Sequence, residues 1–314
     1  MNRANLPHDR SHLLIDTGSP NSPTRLFRES ICRWLDAQIS DDCASDAGIG
    51  EIVDSIVFSK SYGVFCGKIV IEIMIESYFP SCSIIWNVEE GEQVSNRDRI
   101  LTLKGPSSSI LSCERILLNI IGRMSGVATL TSEWAREAGG IEIACTRKTA
   151  WGLIDKWAVH IGGGLTHRLS RKDALMIKEN DLSVNSAKMD PIDSIPSFIS
   201  KLDLDSENTF TTMEVQNPEQ AIVAVRAWAK RQKTNRELGQ IVILLDNMGP
   251  VECRIADQKL RSLGLRGDCI LEGSGGIKRG DLSDWRDSGV DVISSSEINM
   301  GSKSLDFSML VGDY

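Results

Sequence analysis

No apolar run in this chain is long enough to cross a membrane. The longest stretches, such as Ile69 to Ile75 and Ile241 to Leu245, fall well short of the ~18 residues a spanning helix needs, and Glu72 interrupts the first. Cysteine occurs eight times, at 32, 43, 66, 82, 113, 145, 253 and 269, but never as a C-x-x-C pair. That dispersal suits neither a zinc site nor a disulfide framework; it predicts a reduced cytoplasmic protein whose thiols are mostly small core residues. No basic tail is present, and 35 Lys and Arg stand against 43 Asp and Glu for a net charge of −8, so nucleic acid is not the expected partner. The opening MNRANLPHDRSHLLIDTGSP lacks the apolar h-region of a secretory signal, and residues 1–24 are expected to form a flexible tail. What remains is a globular, water-soluble chain of 314 residues with 41% hydrophobic and 25% charged content, enough for one large or two ordinary cores.

Apolar spacing predicts a helix over 25–39, with Leu26, Ile31, Trp34 and Leu35 on one face. Between Gly67 and Leu103 the short runs Ile69-Val70-Ile71, Ile84-Ile85-Trp86 and Ile100 to Leu103, separated by turn residues, predict a β-rich region. Ile110 to Ala138 reads as one or two helices with Gly126 a candidate break. From about residue 141 the pattern becomes strand, turn, helix, repeated. Trp151 to Ile161 is a helix closed by Gly162-Gly163-Gly164, Asn217-Pro218 opens another, and 230–240 is a polar loop or helix end. Fully apolar strands alternating with helices predict a parallel sheet, open or closed into a barrel, with chemistry at the C-terminal strand ends.

The charge of this acidic chain is uneven. From Cys145 to Lys178 there are seven Lys or Arg (147, 148, 156, 168, 171, 172, 178) against Asp155 and Asp173, a local charge of +5. Such a cluster suits a ligand with several negative groups, because a guanidinium fork pairs with a carboxylate or phosphate and an ammonium adds a point charge. Arg171 and Lys172 read first as solvated surface charges. Several polar residues directly follow apolar strands: Arg147 and Lys148, Lys178, Glu214, Asp246 and Ser274. Glu214 and Asp246 suit a divalent metal, sugar hydroxyls or a developing positive charge. Gly273-Ser274-Gly275-Gly276, followed one strand later by Ser294-Ser295-Ser296, matches the phosphate site that barrels build after their last two strands. His167 follows the triple glycine, and a lone histidine is more often structural than catalytic. Lys178, approached by Leu175-Met176-Ile177, also fits a Schiff-base lysine.

Taken together, these motifs resemble the quinolinate phosphoribosyltransferases. The matching segments, in order over residues 110 to 310, are Glu114-Arg115 to Asn119, Ser125-Gly126, Ala128-Thr129, Thr146-Arg147-Lys148-Thr149, Gly162-Gly163-Gly164, His167-Arg168-Leu169, Ile177-Lys178, Glu214-Val215, Leu244 to Met248, Ser274-Gly275-Gly276-Ile277 and Asp291 to Ser294. The resemblance implies an α/β chain: an N-terminal α/β sandwich domain over 25–138 with interdomain helices, then an open α/β barrel over 139–314. It also implies a reaction in NAD biosynthesis, from quinolinate and phosphoribosyl pyrophosphate to nicotinate mononucleotide, pyrophosphate and carbon dioxide, with Mg²⁺. A homodimer with shared active sites, or a higher oligomer built from it, is implied as well.

On the same resemblance, Thr146, Arg147, His167, Arg168 and Lys178 hold quinolinate together with Arg115 of the partner subunit, and Lys148 reaches quinolinate or pyrophosphate. Glu214 and Asp246 hold ribose and metal, Ser274-Gly275 and Ser296 hold the 5-phosphate, and Lys148, Lys178, Glu214 and Asp246 are the implied catalytic group. Departures from the family pattern are Ser296 in place of a glycine, Asn299-Met300 in place of Thr-His, and Thr212 at a position that is often acidic. The rival expectations are a nicotinate-specific relative, a Lys178 Schiff-base lyase, and a phosphate-binding protein without chemistry.

Overall fold

The computed structural model of the chain describes residues 6–16, 18–19, 22–178, 181, 191–202, 210–234 and 238–312. Their contacts gather into two units. A sandwich unit takes Arg10–Glu133, Lys148–Thr166 and the chain from Ile298 on; a barrel unit takes the segment up to Asp9, Trp134–Arg147 and His167–Glu297.

The sandwich unit begins with helix α1 (Arg25–Asp41), capped by Thr24, whose side chain accepts from the Phe27 N–H. Strand β1 (Ile52–Ser59) and the two-residue β2 (Gly63–Val64) lead into α2 (Lys68–Tyr78), followed by β3 (Ser83–Trp86), β4 (Gln93–Val94) and β5 (Arg99–Pro106). Helix α2 corrects the expectation of a strand at Ile69-Val70-Ile71. It is buried almost all round, with Glu72 and Glu76, one turn apart, exposed among apolar neighbours, so its helical period hardly shows in the sequence. Its start is set by the half-buried Glu90 carboxylate, which accepts from the N–H groups of Gly67 at 3.2 Å and Lys68 at 2.8 Å, the charge that a helix N-terminus favours. Helix α3 (Ser107–Glu137) is a single helix without a break at Gly126. Gly126 instead admits another chain segment: a Cβ there would lie 2.1 Å from the Lys303 carbonyl oxygen.

In the barrel unit the chain forms β6 (Glu142–Ala144), leaves for α4 (Leu153–Ile161) of the sandwich unit, and returns for β7 (Leu175–Ile177) and α5 (Pro191–Lys201). Then come β8 (Thr211–Val215), α6 (Pro218–Thr234), β9 (Ile241–Asp246), α7 (Gly249–Ser262), β10 (Cys269–Ser274), α8 (Leu282–Trp285) and β11 (Val292–Ser294); the short α9 (Glu297–Met300) belongs to the sandwich unit in all but its first residue. The six strands pair in the order β6-β11-β10-β9-β8-β7, every pairing parallel, the open α/β barrel of the expected fold class. Met213, Ile243, Leu245, Leu271 and Ile293, on one face of the sheet, are fully buried. The register places Glu214, Asp246, Glu272, Ser274 and Ser294 on the other.

The expected 138/139 boundary does not follow the contacts. Strand β12 (Phe307–Val311) pairs antiparallel with β1, completing a sheet of order β12-β1-β5-β3 in the sandwich unit. The expected tail is also not loose where it is described. Leu6, His8 and Leu14 are buried, and Ile15 bridges Pro23. No described helix is long and apolar enough to cross a membrane.

Candidate functional site

Parallel strands deliver their C-terminal ends to one edge of the sheet, and the polar residues expected there arrive as a set. Ser274 pairs with Asp246 across β10 and β9, Ser294 with Ala144 across β11 and β6, and Glu214 lies level with Leu244 on the same face as Asp246. Thr146 and Arg147 follow β6, and Lys178 follows β7. The Lys178 ammonium donates to the Glu214 carboxylate, and its backbone N–H donates to Asp181 Oδ2 at 2.8 Å. With its side chain 48% exposed and paired to a carboxylate, Lys178 lacks the desolvated apolar surroundings that activate a Schiff-base amine.

Arg168 donates to the Ala174 carbonyl and to Met176 Sδ, both at 3.2 Å. Burial lowers the affinity of its guanidinium for the proton, and the charges of Arg147 and Arg171 push the same way, against Glu272 and Asp173. Arg171, expected to be a bystander, is exposed but near enough to add its field to this cluster. Arg168 thus sits in the field of two further guanidiniums, a strain that a bound anion would relieve.

Two loops build the phosphate candidate. Gly275 has φ +100° and a Cβ on it would lie 2.3 Å from Asn247 Oδ1; Gly276 has φ +63°. Asn247, itself at φ +55°, donates its N–H to the Ser274 carbonyl at 2.9 Å. Ser295, next to the half-buried loop position Ser296, donates its hydroxyl to the Ile277 carbonyl at 2.9 Å. The loops after β9, β10 and β11 are therefore tied to one another. For a divalent cation, Glu214 and Asp246 offer carboxylate oxygens from neighbouring strands on one face, the hard donors magnesium requires. Asp246 Oδ2 also accepts from Asn247 Nδ2 at 2.8 Å.

Lys148 and Arg115 belong to the sandwich unit, where both are exposed, Arg115 on α3. His167, which reads as structural on its own and as a quinolinate contact by the resemblance, is enclosed. It is 4% exposed, at φ +50°, with Nε2 3.2 Å from Glu272 Oε1 and Nδ1 accepting the Arg168 N–H at 2.7 Å. The proton facing Glu272 is therefore on Nε2. Glu272 Oε2 lies 3.0 Å from His8 Nε2. Burial would raise the Glu272 carboxyl, but His167 and His8 outweigh it and hold the group well below the ordinary carboxylate range. His8, His167 and Glu272 each bring a donor atom within 4.8 Å of the others, yet the two imidazoles meet different oxygens at hydrogen-bond distances. Sequence reasoning missed Glu272 and His8; the available signal was a lone acid inside the apolar strand Cys269-Ile270-Leu271-Glu272.

Residues 127–310 match the family described as "Quinolinate phosphoribosyl transferase, C-terminal domain", and residues 43–125 its N-terminal domain. Among curated proteins, the probable nicotinate-nucleotide pyrophosphorylase [carboxylating] of Methanothermobacter thermautotrophicus is 35% identical over 280 residues, 86% of this chain and 92% of that protein. Its namesake from Archaeoglobus fulgidus is 34% identical over 265 residues, 82% of this chain and 94% of that protein. Among solved structures, the nicotinate-nucleotide pyrophosphorylase of Francisella tularensis superposes with a TM-score of 0.76 at 27% identity, over 90% of this chain and 96% of its own.

Proposed function

The chain belongs to the quinolinate phosphoribosyltransferase family, and from that premise we propose the roles its residues play in transferring phosphoribose to quinolinate with loss of carbon dioxide. The reaction yields nicotinate mononucleotide and pyrophosphate, a step of NAD biosynthesis. The observation that carries the reading is the cluster of Arg147, Arg168 and Arg171 on the same unit as the Glu214 and Asp246 carboxylates. One substrate is a dicarboxylate and the other carries a phosphate and a pyrophosphate, so an acidic protein needs a local cationic mouth.

Arg168 and Arg147 pair with the two carboxylates of quinolinate, with Lys178 beside them and Thr146 on the same loop as Arg147. Ser274, Gly275 and the loop at Ser296 cradle the 5-phosphate, and Lys148 reaches the pyrophosphate. As the bond from ribose C1 to pyrophosphate lengthens, positive charge grows on the ribose, and Glu214 and Asp246 stabilise it. The same two carboxylates would hold Mg²⁺, which supplies neutralisation of the leaving pyrophosphate. The pyridine nitrogen attacks C1; the quaternary nitrogen then stabilises the electron pair left when the adjacent carboxylate departs as carbon dioxide, and a proton takes its place. Arg115 of the partner subunit completes the site in a homodimer. The reaction runs in the cytoplasm, a placement supported by eight free cysteines and no disulfide among the described residues.

Purified protein supplied with phosphoribosyl pyrophosphate, Mg²⁺ and either quinolinate or nicotinate tests the assignment. Quinolinate should give one carbon dioxide per nicotinate mononucleotide. Activity with nicotinate alone would overturn the carboxylate-releasing reading.

A further inference from the structure

Three side chains from distant parts of the chain meet inside the barrel unit. His8 comes from the segment expected to be a loose tail, 264 residues from its partner Glu272, and His167 from the loop before Arg168. A carboxylate buried without partners would be very costly. Here each Glu272 oxygen faces one imidazole Nε2, at 3.0 Å from His8 and 3.2 Å from His167. His8 is fully buried, with its ring 5.1 Å from that of His167 in an edge-on arrangement and 5.5 Å from Phe210. Beyond His167 the connection continues: its Nδ1 accepts the backbone N–H of Arg168, whose guanidinium rests on Ala174 and Met176.

This geometry fixes His167 at both ring nitrogens, and through it the backbone from which Arg168 projects. Glu272 lies on the same face of β10 as Ser274, two residues back from the strand end, so it supports the site from beneath. We propose that His8 is a positioning residue for the pyridine-dicarboxylate half of the site, acting through Glu272 and His167 on Arg168. The N-terminal segment is thereby a working part of substrate recognition. This rests on the functional reading above in one respect only, the identity of the substrate that Arg168 receives.

The test compares His8→Gln with His8→Met in the full-length protein. The two replacements are nearly equal in length and volume, but only Gln can donate an N–H to Glu272 Oε2. His8→Met should raise the KM for quinolinate on the order of tenfold, within the ~100-fold that a 1 Å misplacement can cost, and leave the KM for phosphoribosyl pyrophosphate within about twofold. His8→Gln should restore most of the loss. In ¹⁵N-labelled protein, the His167 ring should show the Nε2-protonated tautomer in wild type and in His8→Gln, and a mixture in His8→Met; this readout needs no substrate. Equal behaviour of the two variants in both kinetics and ring signal would overturn the proposal. So would a stoichiometric transition metal in wild type that is lost in His8→Met, which would make the cluster a metal site. Wild-type protein inert toward quinolinate would sink the functional reading instead, and the His167 signal would still decide the linkage.

Discussion

Gly275→Ala should separate the two halves of the site. At φ +100° an alanine lies outside even the left-handed minimum, a strain of about 1–3 kcal/mol. The added Cβ would stand 2.3 Å from Asn247 Oδ1 and 2.7 Å from the Asn247 backbone nitrogen. Neither atom can yield cheaply, since that N–H is bonded to the Ser274 carbonyl at 2.9 Å and the side chain amide to Asp246 Oδ2 at 2.8 Å. Relief requires the loop to shift by roughly the missing ångström, which for a ligand-positioning group costs on the order of 100-fold. Initial rates measured against each substrate in turn should show the KM for phosphoribosyl pyrophosphate raised by about that factor, with direct quinolinate binding little changed. Gly276→Ala is the control. Its φ of +63° is left-handed and nothing lies within 4 Å of the added Cβ, so only about 1 kcal/mol of backbone cost applies. Equal effects of the two substitutions would refute the idea that contact with Asn247 shapes the phosphate loop.

Arg168→Ala should raise the KM for quinolinate by at least ~30-fold, the lower end of the cost of leaving a bound charge unpaired, while binding of phosphoribosyl pyrophosphate changes little; unchanged quinolinate kinetics would remove Arg168 from the site. Burial pushes the thiols of Cys113, Cys253 and Cys269 up to about 12. A thiol reagent at pH 8 should therefore react promptly with the exposed Cys43 and leave those three intact until denaturant is added. These raised values stabilise the fold below the ordinary thiol value of ~8.5, and that stability is lost as pH climbs toward about 12; a midpoint of urea unfolding that does not fall between pH 9 and 11 would contradict this. Arg115→Ala and Asp246→Ala subunits, each inactive alone, should recover roughly a quarter of wild-type activity when refolded together, because half of randomly paired dimers are mixed and each mixed dimer has one intact site. No recovery would place Arg115 outside a shared site.

What the sequence disclosed, and what it withheld, follows from the range over which each feature is encoded. The strand-end residues were legible because a parallel strand is a short apolar run with its working group directly after it: Leu245 then Asp246, Ile177 then Lys178, with Ser274 closing β10. The chain itself records that adjacency. Helix α2 was misread because burial around nearly its whole circumference erases the period that distinguishes helix from strand, and its start depends on Glu90, more than twenty residues away. Gly126 left one helix or two undecided, because a glycine that breaks a helix and one that admits a neighbouring backbone look alike until residue 303 is known to lie against it.

Glu272 shows where local reading stops. One acid within an apolar strand signals a demand for partners without naming them. Of the two that answer, His167 stood in a recognisable motif and His8 in a polar stretch with no pattern of its own. Charge could not point to His8 either, because an imidazole in a tail and one closing a buried carboxylate have the same sequence. Only the fold, which brings residues 8 and 272 within 3.0 Å, turns an unremarkable N-terminal segment into a support of the barrel mouth. A truncation before Asp9 that spared quinolinate recognition would show that this buried contact carries no function.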